Sequence, residues 1–483
     1  MKKILSLSLV SILAACGGGG GGDSSSSGGS AVVPPVSTVL PPSSSLANQC
    51  AAPRPNTSDV QGSADTEKAY LRSFVDETYL WYKDVPANLV PASYATPQTY
   101  FDALKTPLTT ASGKPVDQFH WSQTTASWNA ASSGISQDYG VQWAAQSLVP
   151  PRVFIAAEVA SGSPAALAGV KRGDKVLTVD GVDLVNDNTQ AGINILNEGL
   201  FPSKLAAHTI GFSGKSPVTM TPATYTVATV KNVSTIQTAN GAVGYFAFDT
   251  HIQKSEAELM SAISQLKAAG VTDLVIDLRY NGGGLLYIAS ELAYMIAGPT
   301  ITSNKIFEQL TYNDKLTSKN QIYPFYSSST TNQALPTLGL NHVSLLVSGG
   351  TASASESIIN SLRGVGVKVD LIGATTRGKP YGFVPQDNCS YTYFSIQFKG
   401  QNNIGYGDYA DGFAPTCNAP DDFTRLRGDP SEAMLKTALN YRLTNVCPAN
   451  VTSTTVTGFD SLKFNLIRPQ SQEMRIVTPK PGI

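Results

Sequence analysis

The stretch Asp273-Leu-Val-Ile-Asp-Leu-Arg-Tyr-Asn-Gly-Gly-Gly284 decides the fold of this chain. Its apolar first half predicts a buried strand, a helical pattern follows over 285–297, and the three glycines between them bring bare N–H groups to one loop. The same alternation surrounds it, with strands at Gly244–Phe248, Val343–Val347 and Val367–Gly373 and helices at Ser255–Ala269 and Ala354–Arg363. Such repeats predict a parallel α/β sheet covered by helices.

Length and composition narrow the class of protein. The chain has 483 residues, which is too long for one core and predicts several domains. Its net charge is −1 and no basic stretch stands out, so a nucleic-acid partner is excluded. Four scattered histidines, no HExxH and no paired CxxC argue against a zinc enzyme, and we expect no metal and no cofactor.

The first residues predict export. Lys2 and Lys3 precede the apolar run Ile4–Leu13, and the run ends in Ala14-Ala15-Cys16. This pattern is typical of a secretory signal, and the glycines that follow Cys16 disfavour a retained anchor helix. The Gly, Ser and Pro composition of residues 17–48 predicts a flexible tether.

The four remaining cysteines are even in number, which in an exported protein favours two disulfides. Of the three possible pairings we favour Cys389–Cys417 with Cys50–Cys447, because the first closes a local loop and the second ties the start of the folded part to its end. The sequence leaves the other two pairings open.

Two regions precede the α/β repeats. Residues 66–83 predict an amphipathic helix within a small helical region, 51–137, to which we assign no chemistry. Short strands follow at Tyr139–Trp143, Val153–Val159, Lys175–Val179 and Tyr225–Val230. Between them Ser163 is placed to cap a short helix that begins at Pro164. A small β-barrel that only packs against its neighbours would fit this pattern too.

Three loops fall at the carboxyl ends of the predicted parallel strands, where such sheets bind ligands: Arg279–Gly284, Ser348–Ser355 and Ala374–Tyr381. Each loop also has an explanation that involves no catalysis. The first can be a tight turn, the serine of the second can cap a helix, and the lysine of the third can lie on the surface. A Ser at a helix start lies near the positive end of the helix dipole. A Lys can act as its base only when neutral, and lowering a lysine pKa from ~10.4 to ~7 requires about 4–5 kcal/mol.

Gly373–Lys379 fits the start of a phosphate-binding loop, but Pro380 replaces the Ser or Thr that would hold Mg²⁺, so we exclude an NTPase.

The loops together resemble the carboxy-terminal processing (tail-specific) serine peptidases. The resemblance is carried by Val275–Gly284, Thr351-Ala-Ser-Ala-Ser-Glu-Ser357 and Ile372-Gly-Ala-Thr-Thr-Arg-Gly-Lys379, and before them by a PDZ-like motif over Ser163–Val176. It implies a parallel-sheet α/β core of the ClpP/crotonase type, with a PDZ-like β-barrel domain and a small N-terminal helical region.

The same resemblance implies roles for individual residues. Ser353 would be the nucleophile and Lys379 its base, and the oxyanion donors would be Gly283 or Gly284 together with Ala354. A peptide carboxylate would bind at Tyr139, Gly140 and Val141. Two positions depart from the family pattern: Pro380 follows the lysine, and Phe383 stands where many members carry a Gln that orients it. Gln386 is the candidate to replace that Gln. We interpret Asp277 and Arg279 as an ion pair that shapes the glycine loop.

The expected protein is a lipid-anchored serine endopeptidase whose substrates are proteins or peptides with free C-termini. The ending Leu13-Ala-Ala-Cys16 resembles a bacterial lipobox, which implies lipid attachment at Cys16 and a place in the bacterial cell envelope. Gly17 after it favours the outer membrane. The alternatives are an inactive peptidase scaffold that binds C-terminal peptides, and a structural lipoprotein in which Ser353 only caps a helix. The predicted organisation is a signal peptide 1–15, a lipidated Cys and tether 16–50, helical region 51–137, PDZ-like domain 138–232, peptidase domain 233–447 and a tail 448–483 without functional signal.

Overall fold

The apolar run Asp273–Asp277 lies inside a six-stranded sheet in the computed structural model of this chain. The sheet is parallel except for its first two strands, which form an antiparallel hairpin. Its spatial order is Val230–Thr238, Gly241–Phe248, Asp273–Asp277, His342–Val347, Lys368–Gly373 and Cys417–Asn418. The predicted parallel α/β core is confirmed by this order.

The structure describes residues 39–449, 465–467, 475–476 and 480–481. The predicted signal peptide, Cys16 and Gly17 lie outside these residues. Ordered structure begins before residue 51, since Ser43–Leu46 is helical and Gln49–Cys50 pairs with Val60–Gln61. Within the described ranges, no helix has the length and apolar character needed to cross a membrane.

Helices cover both faces of the central sheet. Alternate residues of each strand point to opposite faces, so Leu274 and Ile276 pack in one hydrophobic cluster and Val275 in another. The first cluster is closed by Ser255–Ala268, Leu286–Thr302 and Ala354–Gly364, and the second by Ala433–Thr444. Gly298 interrupts Leu286–Thr302 with a left-handed φ of 72°, where the predicted helix 285–297 ends.

The PDZ-like region forms a second sheet. Its strands run in the order Val218–Met220, His208–Phe212, Lys175–Val179, Val153–Val159, Val141–Ser147 and Asn465–Ile467, with Val182–Asp183 paired beside Lys175–Val179. Helices Pro164–Leu167 and Gln190–Leu200 accompany it, and Ile135–Asp138 pairs with Ala223–Thr226. The predicted cap is confirmed, because the Ser163 hydroxyl accepts from the N–H of Ala166 at 3.3 Å.

The N-terminal helical region packs against the strand that follows Lys379. Buried rings on Ala64–Thr78 and Pro97–Ala103, among them Phe74 and Phe101, share one cluster with Phe383 and Tyr393. The region also contains Thr125–Ser132, the 3-10 turns Tyr82–Asp84 and Pro91–Ser93, and strand Trp121–Thr124, which joins Gln386–Asn388 and Tyr391–Phe394 in a small sheet. This region therefore forms one wall beside the lysine loop.

A further six-stranded sheet joins two of the predicted site loops. Its order is Gly284–Leu285, Arg475–Ile476, Tyr381–Phe383, Ile396–Gln401, Ile306–Tyr312 and Gln321–Pro324, with a 3-10 turn at Thr317–Lys319. Residues from the predicted tail therefore supply strands to two sheets, through Asn465–Ile467 and Arg475–Ile476.

The favoured disulfide pairing is wrong. Cys50 is bonded to Cys389 and Cys417 to Cys447. Cys50 lies on the N-terminal region, which packs against the hairpin carrying Cys389. Cys417 begins the last strand of the central sheet, next to the helix Ala433–Thr444 that leads to Cys447. The assumption that the nearest cysteines would pair ignored this packing.

His342, the first residue of its strand, lies between two carboxylate groups. The ring nitrogens of His342 lie 2.9 Å from Asp273 and 2.8 Å from Asp370. Burial lowers the pKa of His342, but the two carboxylates outweigh it and raise the pKa to about 9. The charged imidazole therefore links three neighbouring strands.

Candidate active site

Ser353 lies at the turn between strand His342–Val347 and helix Ala354–Gly364. Its φ of 63° is left-handed, a conformation that costs a non-glycine residue about 1–3 kcal/mol and is often found at functional sites. The residue is fully buried, and within the described part of the chain its hydroxyl has no hydrogen-bond partner. Ser353 is therefore a buried, strained residue at the N-cap of this helix, and no group among the described residues engages its hydroxyl.

Glu356 connects the serine and lysine loops. One of its carboxylate oxygens accepts from the backbone N–H groups of Ser353 and Lys379, each at 2.8 Å. The other accepts from the Thr376 hydroxyl at 2.6 Å and the Gly378 N–H at 2.7 Å. The two backbone nitrogens of the predicted pair thus lie no farther apart than twice 2.8 Å. Burial raises the pKa of Glu356, and these four donors oppose that rise.

Lys379 is fully buried beside two aromatic rings. Its Nζ lies 4.1 Å from the ring centroid of Phe383 and 4.6 Å from that of Phe119. Phe383 is the position where the resemblance leads us to expect an orienting Gln, so a ring face replaces an amide there. Phe119 comes from the N-terminal helical region, which the sequence had left without chemistry.

Hydroxyl groups from the serine loop fix the glycine loop. The Thr351 hydroxyl donates to the Leu278 carbonyl at 2.8 Å, and the Ser355 hydroxyl donates to the Asn281 carbonyl at 3.1 Å. The backbone N–H of Ala352 also donates to Asn281, at 3.1 Å. The first two predicted loops are thus brought together as one unit.

The predicted oxyanion donors differ in what they contact. The N–H of Gly283 donates to the Asn281 side chain at 2.9 Å, so it is engaged within its own loop. Gly284 begins a strand and pairs with Arg475. Ala354 is the first residue of its helix, where an N–H has no intrahelical carbonyl to reach. Gly283 and Gly284 are therefore both engaged in contacts of their own, while Ala354 lies where a helix start presents its N–H, and the three oxyanion roles stay predictions.

Asp277 and Arg279 form the ion pair that was expected. The Arg279 Nε donates to Asp277 at 2.9 Å, and its Nη1 atom reaches Glu432 at 2.8 Å. Both members are fully buried. Burial raises the pKa of Asp277, but Arg279 and Arg427 together hold that pKa well below its ordinary value. This charged network braces the strand end from which the glycine loop starts.

The remaining site predictions are placed as follows. Tyr139 is buried, Val141 is half-buried, and the N–H of Gly140 donates to the Asp138 carboxylate. Gln386 is exposed, and its amide donates to the carbonyl of its neighbour at 3.3 Å. Because Lys379 is fully buried, this placement does not favour Gln386 as its orienting residue, and that role stays a prediction.

Two contributors to the site were not singled out from the sequence. Glu356 had a local signal, since the spacing Ser353-x-x-Glu356 is that of a capping box, in which the acidic side chain returns to the first residue's N–H. Phe119 had no such local signal, because it lies far from Lys379 in the sequence.

Family models match the parts of the chain that contain these loops. The sequence model of "Peptidase family S41" matches residues 242–386, which contain Ser353, Glu356 and Lys379. Over these residues the chain is similar to peptidase family S41. The model of the "Peptidase S41 N-terminal domain" matches residues 67–122, and that of a PDZ domain matches residues 155–196. The family resemblance and the predicted fold class are therefore confirmed.

Curated relatives and a solved structure are similar to this chain over part of its length. The chain is 30% identical over 224 residues to a carboxyl-terminal-processing protease of Picosynechococcus, a match covering 45% of this chain and 49% of that protein. It is 28% identical over 219 residues to the processing protease CtpA of Bacillus subtilis, covering 45% and 42%. The chain thus spans about half the length of the curated relatives it matches. A crystal structure of a putative S41 protease from Bacteroides fragilis shares its fold, with a TM-score of 0.64, 23% identity and coverage of 78% of this chain and 97% of that one.

Proposed function

We propose that this chain is a serine endopeptidase that uses Ser353 and Lys379 as a catalytic dyad. The observation that supports it most directly is the Glu356 carboxylate, which holds the backbones of both residues while the Ser353 hydroxyl is buried and uncommitted. A buried hydroxyl at a strained turn and a helix start, whose backbone is held next to that of a buried lysine, is suited to acyl transfer.

The reaction proceeds through an acyl-enzyme. The neutral Lys379 amine removes the proton of the Ser353 hydroxyl, and the oxygen attacks the peptide carbonyl. The N–H groups of Gly284 and Ala354 stabilise the resulting oxyanion, and the protonated amine then gives its proton to the leaving amine. Water, deprotonated by Lys379, attacks the acyl-enzyme in the second half and releases the shortened peptide.

A reactive probe tests this mechanism. A fluorophosphonate should label the full-length chain and fail to label Ser353→Ala. Lys379→Arg should also abolish labelling, because arginine stays charged and cannot act as a base. Ser73→Ala is the matched control, since Ser73, on a helix of the N-terminal region, also has a buried hydroxyl for which the described residues offer no hydrogen-bond partner. Labelling of Lys379→Arg at the rate of the parent chain would reject the dyad.

A second candidate is a peptide-binding protein on an inactive peptidase scaffold. The observation that favours it is the pair of rings around Lys379, because aromatic faces stabilise an ammonium and so oppose the neutral base. In that case the probe would label neither the parent chain nor any variant, while peptides with free C-termini would still bind. An amidated peptide of the same sequence should bind more weakly if Tyr139, Gly140 and Val141 hold the carboxylate.

We also propose that the enzyme is anchored in the bacterial cell envelope through lipid on Cys16 and acts there on protein substrates, with the outer membrane favoured by Gly17. The support is the signal pattern and lipobox of the sequence. Metabolic labelling with a palmitate analogue should mark the expressed chain and leave Cys16→Ser unmarked. A Cys16→Ser chain that stays in the membrane fraction would contradict the anchor.

A further inference from the structure

A single strand from the far end of the chain lies between two strands that lead away from the proposed catalytic site, one after the glycine loop and one after Lys379. Arg475–Ile476 pairs in parallel with Gly284–Leu285, the strand that continues the glycine loop. On its other side Ile476 pairs with Phe383, in the strand that follows Lys379. Neighbouring strands are about 4.8 Å apart, so removing this strand would open a slot about 10 Å wide, which fits one extended peptide.

The strand is held there by burial and charge. Ile476 is 2% exposed and packs in the cluster that contains Phe383. Farther along the chain, Lys480 lies 2.6 Å from the fully buried carboxylate of Glu291 and also donates to the Ser328 carbonyl. The occupant of the slot is therefore docked by its side chains as well as by its backbone.

A second segment from the same end lies on the PDZ-like domain. Asn465–Ile467 adds as an antiparallel strand to Val141–Ser147, which directly follows the predicted carboxylate loop. Asn465 pairs with Ala145 and Ile467 with Trp143, so the segment runs toward Gly140. Addition of an extended strand to a sheet edge is how PDZ domains bind their peptide ligands.

We propose that these tail strands, Asn465–Ile467 and Arg475–Ile476, are an internal occupant of the peptide path, which must leave before a substrate can reach Ser353. This inference rests on the proposed function, because it assigns the slot to the substrate of that enzyme. A segment tethered to the site competes at an effective concentration in the millimolar range, so even weak pairing excludes free peptides. The partner of this surface is therefore the chain itself, and activity depends on its displacement.

Removal of the tail tests the inference. A chain ending at Ala449 keeps the Cys417–Cys447 disulfide and lacks both tail strands. We expect fluorophosphonate labelling of Ser353 and cleavage of β-casein to rise about tenfold or more over the full chain. A synthetic peptide of residues 465–481 added to the shortened chain should reverse the gain. Equal rates with and without the tail, in chains with matching circular dichroism, would overturn the inference.

A milder variant keeps the inference testable if the shortened chain does not fold. The double substitution Lys480→Met with Glu291→Gln removes the docking ion pair without leaving a buried charge, and neither residue belongs to the proposed catalytic site. It should raise both rates by a smaller factor, and a folded double variant with unchanged rates would count against the inference.

The outcome also separates the two proposals. If Ser353 is unlabelled in every form, while a fluorescent 465–481 peptide binds the shortened chain, the peptidase proposal fails and the slot remains a peptide site. If labelling is present but indifferent to the tail, the peptidase proposal stands and the internal occupant is rejected.

Discussion

Glu356→Gln is the perturbation that examines the site most directly. Each carboxylate oxygen of Glu356 accepts two hydrogen bonds, so an amide NH₂ in place of either oxygen faces two donors. A hydrogen bond to a charged group contributes about 1.5–3 kcal/mol, and two such bonds are lost. The interaction that holds the serine loop against the lysine loop should therefore weaken by about 3–6 kcal/mol. The side chain keeps its size, which separates this loss from a packing defect.

The expected result is a loss of turnover larger than the loss of stability. Even the lower figure of about 3 kcal/mol corresponds to about 100-fold in rate if it falls on the transition state. We would measure kcat/KM on a quenched fluorescent peptide, the labelling rate of Ser353, and Tm. Glu258→Gln is a matched control, because Glu258 accepts from the N–H and hydroxyl of Thr229 and lies outside the site.

Two results would refute this reasoning. If Glu356→Gln kept kcat/KM within about twofold of the parent, the carboxylate would not position the dyad. If Glu356→Gln and Glu258→Gln lowered Tm and turnover to the same extent, Glu356 would act on stability alone.

Three other changes have defined outcomes. Phe119→Ala should cost about 3–5 kcal/mol of unfolding free energy in denaturant melts. It should also slow labelling of Ser353 about tenfold, because water that enters beside the Lys379 amine favours the ammonium by more than the lost ring did. His342→Asn should remove about 3 kcal/mol of stability at pH 6, because the pKa of the histidine rises from its ordinary 6.5 to about 9 on folding. That contribution is complete below pH 6.5 and lost as the pH rises through 9, so the two chains should have similar Tm values near pH 10. Replacing Cys417 and Cys447 by Ala should cost about 3–4 kcal/mol, since their disulfide closes a loop of 30 residues, and a Tm comparison would detect it.

Controls for these changes are available in the chain. Phe119→Leu refills most of the space and should keep most of the stability, so equal effects of Leu and Ala would show that lost packing volume is not the cause. A stability difference for His342→Asn that stayed constant from pH 6 to pH 10 would exclude a charged imidazole. Reduction of the parent chain should mimic the cysteine variant only if the second disulfide, Cys50–Cys389, contributes little.

Features that depend on local pattern were predictable from the sequence. Val153–Val159 and Lys175–Val179 have the bounds that alternation and turn residues predicted, and Ala354–Gly364 extends its prediction by one residue. The three site loops could be located because the carboxyl ends of parallel strands meet at one edge. Local hydrophobic periodicity is decided by neighbours a few residues away, which the sequence displays directly.

Features that depend on distant contacts were not predictable. Cys50 and Cys389 are 339 residues apart, and nothing near either of them indicates the packing that joins them. The tail strands are two or three residues long, too short for any periodicity to reveal them. The Gln386 side chain is exposed while Lys379 is fully buried, and nothing in the local sequence indicates that difference.

The ring of Phe119 has a consequence for how this chain can be divided into fragments. The stretch that matches the peptidase family begins at residue 242, so a fragment cut to that stretch would contain the serine, the glutamate and the lysine but would leave one flank of the amine open to water. Hydration would favour the ammonium over the free base. We therefore expect this fragment to be inactive even when it is soluble. A separate fragment that contains residues 64–124 should restore activity.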